Sequence, residues 1–547
     1  MKKNTLFRSM AALMAIVGCA GTINAQYSWT NLPKATEPVF KKDTIDIMSF
    51  GAKPDGLTLN TKSINEAIAA CSRKGGGVVL VPPGLWSTGP VVLKSNVNLH
   101  LSSAAILQFT DDFDQYPLIE GSFEGKKQAR NQSPLSGDNL ENVAITGKGI
   151  VDGNGDVWRM VGMDRLNENQ WKKKVASGGL LSADGKLWFP SLKTKKAHEE
   201  KLSGSMAAGQ SLKDFESIKD YLRPNLLVLT NCKKVLLEGI TFQNSPAWCL
   251  HPLMCEDLTI RNIFAKNPEY AQNGDGLDIE SCKNVLVEGS MFDVGDDGIC
   301  IKSGKDEEGR KRAMPTENVV IRNNIVYKAH GGFVIGSEMS GGAKNIFVYD
   351  CSFIGTDKGL RFKTARGRGG IVEKIYCRDI FMKDIAQEAV YFDMYYFTKP
   401  PKPGEKPEVF AASESTPQFR DFYISNIVCN GAEKGIFIRG LPEMSVKNIN
   451  LSNFVMKTNK GIEVFEAEGI HLKDIRLDTK QTDPVVYVEN SSKLTFRNLE
   501  YNDSAQLLFS VNGERTKDIE VFGDNGVGLQ KKTQFKNGAN QNSLEIK

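Results

Sequence analysis

A short alternating pattern of apolar and polar residues recurs along this chain from about residue 91 onward. Each copy begins with a polar residue, most often Asn, and continues with apolar residues at every second position. A period of two predicts a β-strand with one buried face. Between the copies lie runs of Asn, Asp and Gly, which are typical of turns. The copies include Asn96–Leu101, Asn142–Ile145, Lys234–Gly239, Asp257–Ile260, Asn284–Val287, Asn318–Ile321, Asn345–Val348 and Lys374–Cys377.

The spacing of these copies distinguishes between the all-β folds. Evenly spaced short strands occur in sandwiches and barrels, but these repeats continue to about Val521, which is too long for a sandwich. Asn-Gly turns, which are typical of hairpins, are not the rule either. The interval is 34 residues from Val285 to Val319 and 27 residues from Val319 to Ile346. A constant strand with loops of variable length predicts an all-β parallel β-helix, a solenoid of short strands.

The open end of a solenoid needs a cover, and the first part of the chain supplies a candidate. Ile64, Ala67 and Ile68 follow helical spacing, and the segment Ser63–Glu66 fits a capping box. We therefore predict an N-terminal capping helix, within a cap region of about residues 44–90.

The first 25 residues have the features of an export signal. A basic start precedes an apolar run that is too short to span a bilayer, and Ile23-Asn24-Ala25 resembles a cleavage site. We predict cleavage after Ala25 and an exported protein, periplasmic or extracellular. The alternative is a lipoprotein signal, because Ile16-Val17-Gly18-Cys19 resembles a lipobox and would place lipid on Cys19.

The rest of the chain divides by composition. We assign residues 26–530 to the β-helix, with a polar insertion at about 157–222 and a Pro-rich loop at about 398–418. Loops on a rigid scaffold commonly wall a site. Residues 531–547 are predicted to form a polar, poorly ordered tail.

Charge and cysteine content exclude several functions. The formal net charge of +4 falls to about +1 without the signal, so bulk charge does not favour nucleic-acid binding. Beyond the signal, the chain has no apolar run long enough for a transmembrane segment. Nine of the ten cysteines remain, without a Cys-x-x-Cys pair, so we predict buried thiols rather than a zinc site. They include Cys232, Cys255, Cys282, Cys351 and Cys377.

Two acidic, Gly-flanked turns carry the candidate chemistry. Asp275 lies in the first turn, and Asp296 and Asp297 lie in the second, 21 residues later. Adjacent parallel strands are about 4.8 Å apart, so one solenoid coil would place the three acids together. Carboxylates at that range repel and raise at least one pKa, which indicates a catalytic or metal site. Asp278 is instead predicted to hydrogen-bond turn backbone.

A histidine and two cations follow at the spacing of further coils. His330 lies 33 residues after Asp297, and Arg361 lies 31 residues after His330. Arg361 and Lys363 alternate on one strand and therefore point to the same face. Acids suit bond cleavage, and the cations suit an anionic substrate, because arginine binds carboxylates bidentately.

Together these motifs resemble glycoside hydrolase family 28, the polygalacturonases. The resemblance spans nearly the whole chain after the signal and departs from the family at Ala329, where Gly is usual. It rests on Asn273-Gly274-Asp275, Gly295-Asp296-Asp297, His330-Gly331 and Arg361-Phe362-Lys363 in this order, with Pro246-Ala247-Trp248 and Asp152-Gly153-Asn154-Gly155 in addition.

The resemblance implies a right-handed parallel β-helix that hydrolyses α-1,4 bonds between galacturonic acid units with inversion. It implies that Asp296 is the general acid, that Asp275 and Asp297 activate the water, and that His330 tunes the acids. Arg361 and Lys363 would bind the substrate carboxylate, and Asn273 and Tyr396 would complete the substrate site. No metal or other cofactor is expected, because two-carboxylate chemistry needs none.

The predicted partner is pectin or an oligogalacturonide, with a monomer favoured. The sequence Ala329–Gly342 and the insertions resemble exo-acting bacterial members. Three alternatives stay open: a hydrolase of rhamnogalacturonan or another galacturonate-containing polymer, a β-helix polysaccharide lyase, and a non-catalytic carbohydrate-binding solenoid. Retention of His330 and of the Arg361–Lys363 pair favours galacturonate over rhamnogalacturonan.

Overall fold

A computed structural model describes residues 27–502, 505–523 and 531–547. The chain divides into a short unit that ends at Leu32 and a large unit from Pro33 to Lys547. The described part of the short unit contains a single antiparallel bridge between Ser28 and Asn31. The predicted signal, its cleavage site at Ala25 and the alternative lipid site at Cys19 lie outside the described residues. No helix among the described residues combines the length and the apolar character that a membrane span requires.

The large unit is a right-handed parallel β-helix in which strands account for 49% of the structure. Each coil contributes a strand to three parallel sheets, which we call sheets 1, 2 and 3. Sheet 1 holds Thr44–Asp46, Gly77–Val81, Val97–Leu101, Glu141–Gly147, Lys233–Glu238, Glu256–Arg261, Lys283–Glu288, Thr316–Arg322, Lys517–Phe522 and Leu544–Ile546. Sheet 2 holds Gly84–Thr88, Ala105–Phe109, Ile150–Asp152, Thr241–Gln243, Phe264–Lys266, Met291–Asp293 and Ile325–Tyr327.

Sheet 3 carries the candidate chemistry. It holds Val91–Val92, Leu135–Asp138, Leu227–Thr230, Leu250–Leu253, Leu277–Glu280, Asp297–Lys302, Gly331–Ile335, Leu360–Lys363, Lys460–Phe465, Val486–Glu489, Leu507–Asn512 and Lys531–Lys536. Longer strands turn the corners between sheets without a break: Ala343–Ile354, Ile371–Asp393, Gln418–Arg439, Val446–Thr458, Ala467–Thr479 and Ser492–Glu500.

The repeated sequence pattern marks the corner at which the chain of each coil turns into its sheet 1 strand. Its apolar positions point into the solenoid, where Val285, Val319 and Ile346 stack on successive coils and are almost fully buried. The preceding polar residue adopts a left-handed backbone, with φ of 60° at Asn318, for example. Asparagine tolerates this conformation better than most residues do. The repeated Asn is thus a corner residue of the coil.

The N-terminal cap contains the predicted helix, Thr61–Arg73. Its buried residues are Ile64, Ala67, Ile68 and Cys71, as the helical spacing predicts. The predicted capping box is wrong, because the helix begins two residues before Ser63. The side chain of Asn60, just before the helix, bonds to the backbone of the preceding loop and of a neighbouring strand instead.

The insertion and the Pro-rich loop lie outside the coils. Residues 157–222 contain the helices Glu168–Ala176 and Leu192–Glu199 and a small antiparallel sheet of Val161–Gly162, Leu180–Leu181 and Leu187–Phe189. A hairpin of Leu118–Phe123 and Lys126–Asn131, which the alternation did not reveal, precedes them. A fourth helix spans Asp306–Arg312. Short 3-10 helices are Ile47–Phe50, Phe113–Gln115, Gly155–Val157, Met163–Arg165, Leu212–Tyr221 and Gln541–Ser543.

The predicted tail at 531–547 and the domain end at 530 are wrong. Lys531–Lys536 pairs with Leu507–Asn512 in sheet 3, and Leu544–Ile546 pairs with Lys517–Phe522 in sheet 1. Phe535, Leu544 and Ile546 pack against the core. These few apolar residues are enough to hold the last two strands in place, because each strand also forms a ladder of backbone hydrogen bonds with the coil before it.

The cysteines agree with the prediction of buried thiols. All nine in the described residues are free and buried. Burial raises the pKa of the Cys351 and Cys429 thiols to about 12.

Candidate functional site

Four neighbouring strands of sheet 3 build the candidate site. They are Leu277–Glu280, Asp297–Lys302, Gly331–Ile335 and Leu360–Lys363, paired in parallel in this order. Their start, together with the turns before them, carries the acids and the histidine, and the last strand carries the two cations. The alternation of the pattern turns Ile299 and Ile301 inward and leaves Cys300 and Lys302 on the outer face.

The structure brings the three predicted acids together. One carboxylate oxygen from each of Asp275, Asp296 and Asp297 lies within 4.8 Å of the other two. Asp275 and Asp297 are buried, whereas Asp296 is partly exposed. Two hydrogen bonds from one water span about 4.6 Å, so a water fits between a pair of these carboxylates.

Asp297 is bound by both predicted cations. Arg361 Nη1 donates to Asp297 Oδ1 and Lys363 Nζ donates to Asp297 Oδ2, each at 2.8 Å. Burial acts to raise the pKa of Asp297, but the charges of Lys363 and Arg361 hold that pKa well below its usual range. Asp297 is therefore ionised and can accept a proton.

Asp275 has the opposite electrostatic environment. Burial, followed by the nearby Asp278 and Asp296 charges, raises the pKa of Asp275 well above its usual value, although Lys302 Nζ lies 3.6 Å from Asp275 Oδ2. Asp275 Oδ1 is buried without a hydrogen-bond partner among the described residues. Asp275 and Asp297 therefore lie in opposite electrostatic environments, although one coil of the solenoid separates them.

His330 contacts the third acid. His330 Nδ1 lies 3.0 Å from Asp296 Oδ1, and the His330 backbone N–H donates to the Asp296 carbonyl at 2.9 Å. The hydrogen bond to Asp296 raises the pKa of His330, although burial opposes this. Asp296 Oδ1 also accepts the N–H of Asp297 at 3.0 Å.

Tyr396 and Asn273 flank the cluster on its two sides. Lys363 Nζ lies 4.8 Å from the centroid of the Tyr396 ring, and the Arg361 guanidinium lies 5.8 Å from it. On the other side, Asn273 Oδ1 accepts a hydrogen bond from Arg223 Nη2 at 3.0 Å. All eight predicted site residues therefore lie on or beside the same four strands.

Sequence reasoning missed Lys302, which neutralises the inner acids. Lys302 Nζ lies 3.1 Å from Asp278 Oδ1 and 3.7 Å from the centroid of the Trp248 ring. Asp278 therefore faces a buried lysine and not turn backbone, and burial raises its pKa to about 6. The alternation of Ile299 and Ile301 was the available signal, because it places Lys302 on the outer face.

The acidic cluster has the residue types of a metal site, but its charges are already balanced. Asp275, Asp278, Asp296 and Asp297 face the side chains of Lys302, Arg361, Lys363 and His330. A divalent cation would have to displace lysine and arginine groups that hold the same oxygens. This donor set therefore fits acid–base chemistry better than metal binding.

Comparison with known proteins assigns the family. Residues 164–410 match the family described as "Glycosyl hydrolases family 28", and residues 44–178 match "Rhamnogalacturonase A/epimerase, pectate lyase-like". A crystal structure of a hyperthermoactive exopolygalacturonase from Thermotoga maritima is 30% identical, with a TM-score of 0.62; the match covers 81% of this chain and 92% of that one.

Two curated relatives give the same result. A Dickeya chrysanthemi protein named "Exo-poly-alpha-D-galacturonosidase" is 29% identical over 427 residues, which are 76% of this chain and 67% of that protein. A Vitis vinifera protein named "Probable polygalacturonase" is 31% identical over 347 residues, and the match spans 62% of this chain and 60% of that protein. The four strands of the candidate site lie within the segment that matches the family. The chain belongs to glycosyl hydrolases family 28 and is a glycoside hydrolase.

Proposed function

We propose that this protein is an exo-acting polygalacturonase, which hydrolyses α-1,4-galacturonosidic bonds at an end of polygalacturonate or its oligomers. The clustering of three aspartates, one of which is bound by both Arg361 and Lys363, carries the proposal. It joins carboxyl groups that can cleave a glycosidic bond to cations that can bind a uronate. The names of the Dickeya and Thermotoga relatives support the exo-acting mode.

The chemistry follows from the different environments of the three acids. Asp297, held ionised by Arg361 and Lys363, and Asp275 orient a water and accept its proton as its oxygen attacks the anomeric carbon. Asp296, which contacts His330, donates a proton to the glycosidic oxygen as the bond to the leaving sugar breaks. The water thus becomes the new anomeric hydroxyl, and attack opposite the leaving oxygen inverts the configuration.

The proposal includes export to the periplasm or the extracellular space. Its support is the basic and apolar sequence before Ala25. A pectic polymer outside the cell is too large to reach an enzyme within it, so the proposed substrate agrees with export. Mass spectrometry of the mature N-terminus separates cleavage after Ala25 from lipid attachment at Cys19.

The test of function is a product analysis on polygalacturonate and on a defined galacturonate trimer. We expect saturated monomer or dimer from one end, released as the β-anomer in early NMR spectra, with no effect of EDTA. Unsaturated, ultraviolet-absorbing product or a strict Ca²⁺ requirement would indicate a lyase and contradict the proposal. Cleavage of rhamnogalacturonan alone would keep the hydrolase and change its substrate.

Asp296→Asn tests the proton donor. The amide keeps the size of the side chain but supplies no acidic proton, and removal of a general acid costs about 10²–10⁴-fold in rate. We expect kcat to fall by about that factor on polygalacturonate while circular dichroism and the melting temperature stay close to those of the wild type. Asp293→Asn is the matched control, because Asp293 lies in sheet 2, outside the cluster. Normal turnover by Asp296→Asn would exclude Asp296 as the acid.

A further inference from the structure

Two arginines on the N-terminal side of the acids, one buried and one partly exposed, have no carboxylate partner among the described residues. Arg130 lies in the hairpin strand Lys126–Asn131 and is 9% exposed. Arg223 lies just before the sheet 3 strand Leu227–Thr230. Sheet 3 continues from that strand through Leu250–Leu253 to the strand that follows Asp275. Arg223 therefore belongs to a coil two positions from Asp275, a rise of about 10 Å.

Every hydrogen bond from these guanidinium groups goes to a neutral acceptor. Arg223 Nη1 donates to the carbonyls of Pro246 and Gln272, at 2.8 and 2.9 Å, and Nη2 donates to Asn273 Oδ1. Arg130 Nη2 donates to the carbonyl of Arg223 itself, and its guanidinium lies 3.7 Å from the centroid of the Phe123 ring. Among the described residues, no carboxylate forms an ion pair with either arginine.

Other buried cations of the same protein do have such partners. Arg159 pairs with Asp156 at 3.0 Å, and Lys358 pairs with Glu388 at 2.9 Å. A buried charge without a counter-charge is costly, and function is a common reason for retaining one. Burial lowers the pKa of Arg130 to about 9, with a further contribution from the charge of Arg223. Burial, and then the charge of Arg159, lowers the pKa of Arg223 to about 10.

Two chains of contacts connect these arginines to the catalytic cluster. Through Asn273, Arg223 reaches the turn that carries Asp275. Through Phe123, Arg130 reaches Trp248, whose ring lies 5.3 Å from that of Phe123, and Trp248 in turn contacts Lys302. Arg130 also lines a cavity of about 680 Å³ on the outer face of sheet 3. Arg130 therefore faces this cavity, and both arginines are linked by contacts to the cluster of aspartates.

We propose that Arg130 and Arg223 form an anion site that binds a carboxylate of the galacturonan chain, on the opposite side of the catalytic aspartates from Arg361 and Lys363. The inference rests on the proposed function, because every sugar of that polymer carries a carboxylate. One N–H of Arg130 and three of Arg223 have acceptors, which leaves the remaining N–H groups for a ligand. The planar fork of arginine matches a carboxylate.

This site would hold a sugar that does not react. Arg130 and Arg223 contact none of the three catalytic carboxylates, whereas Arg361 and Lys363 contact Asp297 directly. Removal of Arg130 should therefore weaken binding of the substrate and leave the chemical step intact. This separation of KM from kcat distinguishes the site from the catalytic cations.

The experiment measures binding and turnover separately. In the inactive Asp296→Asn background, calorimetry with trigalacturonate compares Arg130→Gln and Arg130→Lys with the control Lys172→Gln, an exposed cation on the helix Glu168–Ala176. We expect Kd to rise about tenfold for Arg130→Gln, less for Arg130→Lys, and not at all for Lys172→Gln. In the active enzyme, KM should rise by the same factor with kcat within twofold.

A Kd for Arg130→Gln within twofold of the parent would overturn the anion site. If Arg130→Gln does not fold, Arg223→Lys keeps the charge but loses the fork, and we expect Kd to rise about threefold; an unchanged Kd would overturn the site equally. Failure of the proposed function looks different, because the wild-type enzyme would then release no product from polygalacturonate whatever the binding constants are.

Discussion

Arg361 contacts both an acid of the cluster and an aromatic ring beside it. Its Nη1 donates to Asp297, and its guanidinium lies 5.8 Å from the centroid of the Tyr396 ring. From the sequence alone, Arg361 was expected mainly to bind the substrate carboxylate. The structure adds that it holds Asp297 in the ionised state.

We therefore expect two effects of Arg361→Ala. Loss of a charge-assisted hydrogen bond to the substrate should raise KM about 10- to 100-fold. Loss of one cation beside Asp297 should also raise the pKa of that carboxyl, so that its protonation adds a second ionisation to the acidic side of the kcat profile. Steady-state kinetics across pH measure both. Arg361→Lys, which keeps the charge, should retain most of the profile; an unchanged KM for Arg361→Ala would refute carboxylate recognition.

The pH profile of the wild-type enzyme should be bell-shaped. A base acts when deprotonated, so activity should rise as pH passes the raised pKa of Asp275, above the usual range for an aspartate. His330 donates to Asp296 when protonated, so activity should fall as pH passes its raised pKa, above 6.5.

His330→Gln and Asp275→Asn test the two limbs. The first should abolish the alkaline limb and the second should abolish the acidic limb, each with a lower maximum. A wild-type profile that is flat between pH 4 and 8 would contradict both assignments.

The residues of the cluster could be predicted from the sequence where the repeat of the solenoid coils fixes their positions. Asp275, Asp296 and Asp297 could be placed together because one coil separates two similar turns. Lys302 and Asp278 form a pair that depends on side-chain direction and burial, and no periodic signal distinguishes that pair from a solvated one. Arg130 lies in a hairpin and Arg223 directly follows the insertion, and the repeat does not determine the positions of these two segments on the solenoid.

At the scale of the element, the corner asparagines link consecutive coils. Asn318 Nδ2 donates to Asn284 Oδ1 at 3.1 Å, and Asn318 Oδ1 accepts from Asn345 Nδ2 at 3.2 Å. All three have left-handed backbones. A side-chain ladder therefore runs along the corner, parallel to the backbone ladder of sheet 1.

Replacement of Asn318 should separate the contribution of its side-chain hydrogen bonds to stability from that of its left-handed backbone. Asn318→Ala loses both hydrogen bonds and puts a residue that tolerates the left-handed conformation less well than asparagine at this position, so we expect the free energy of unfolding to fall by about 2–3 kcal/mol. Asn318→Gly loses the hydrogen bonds but tolerates the backbone, so its loss should be smaller by about 1 kcal/mol. Urea denaturation measures both variants. A glycine variant as unstable as the alanine variant would exclude backbone strain as a contribution.

The strands of the solenoid were predictable because inward and outward residues alternate in the same way on every coil. The hairpin Leu118–Asn131 and the small sheet of the insertion were not, since their partners lie outside the repeat. The strand Lys531–Lys536 escaped prediction for a different reason. Its side chains are mostly polar, and it is recruited by the unpaired edge of the preceding coil.

At the scale of the molecule, the two ends of the solenoid are covered differently. The helix Thr61–Arg73 packs apolar residues on the first coils. At the other end, Lys531–Lys536 and Leu544–Ile546 are the final strands, and Lys or Glu residues border both. Charged residues on an edge strand discourage pairing with another molecule.

Truncation after Gly523 should expose sheet edges that carry fewer charged residues than the present final strands. Leu507–Asn512 and Lys517–Phe522 would become the last strands of sheets 3 and 1, and the first of these is buried along its whole length. We expect a lower melting temperature and concentration-dependent association by light scattering. A comparison variant with Lys532 and Lys536 changed to Gln keeps the strands but loses two edge charges, so it should associate less than the truncated protein. A truncated protein that is monomeric and equally stable would show that the final strands have no protective role.

The nine buried thiols can report the order in which the coils of this solenoid unfold. Cys232, Cys255, Cys282, Cys351, Cys377 and Cys429 lie on different coils, and each is sealed from solvent while its own coil is intact. Pulse alkylation during denaturation, read by peptide mass spectrometry, would record when each coil opens. The order of modification would reveal whether the chain unzips from one end or loses its middle first, without any introduced label.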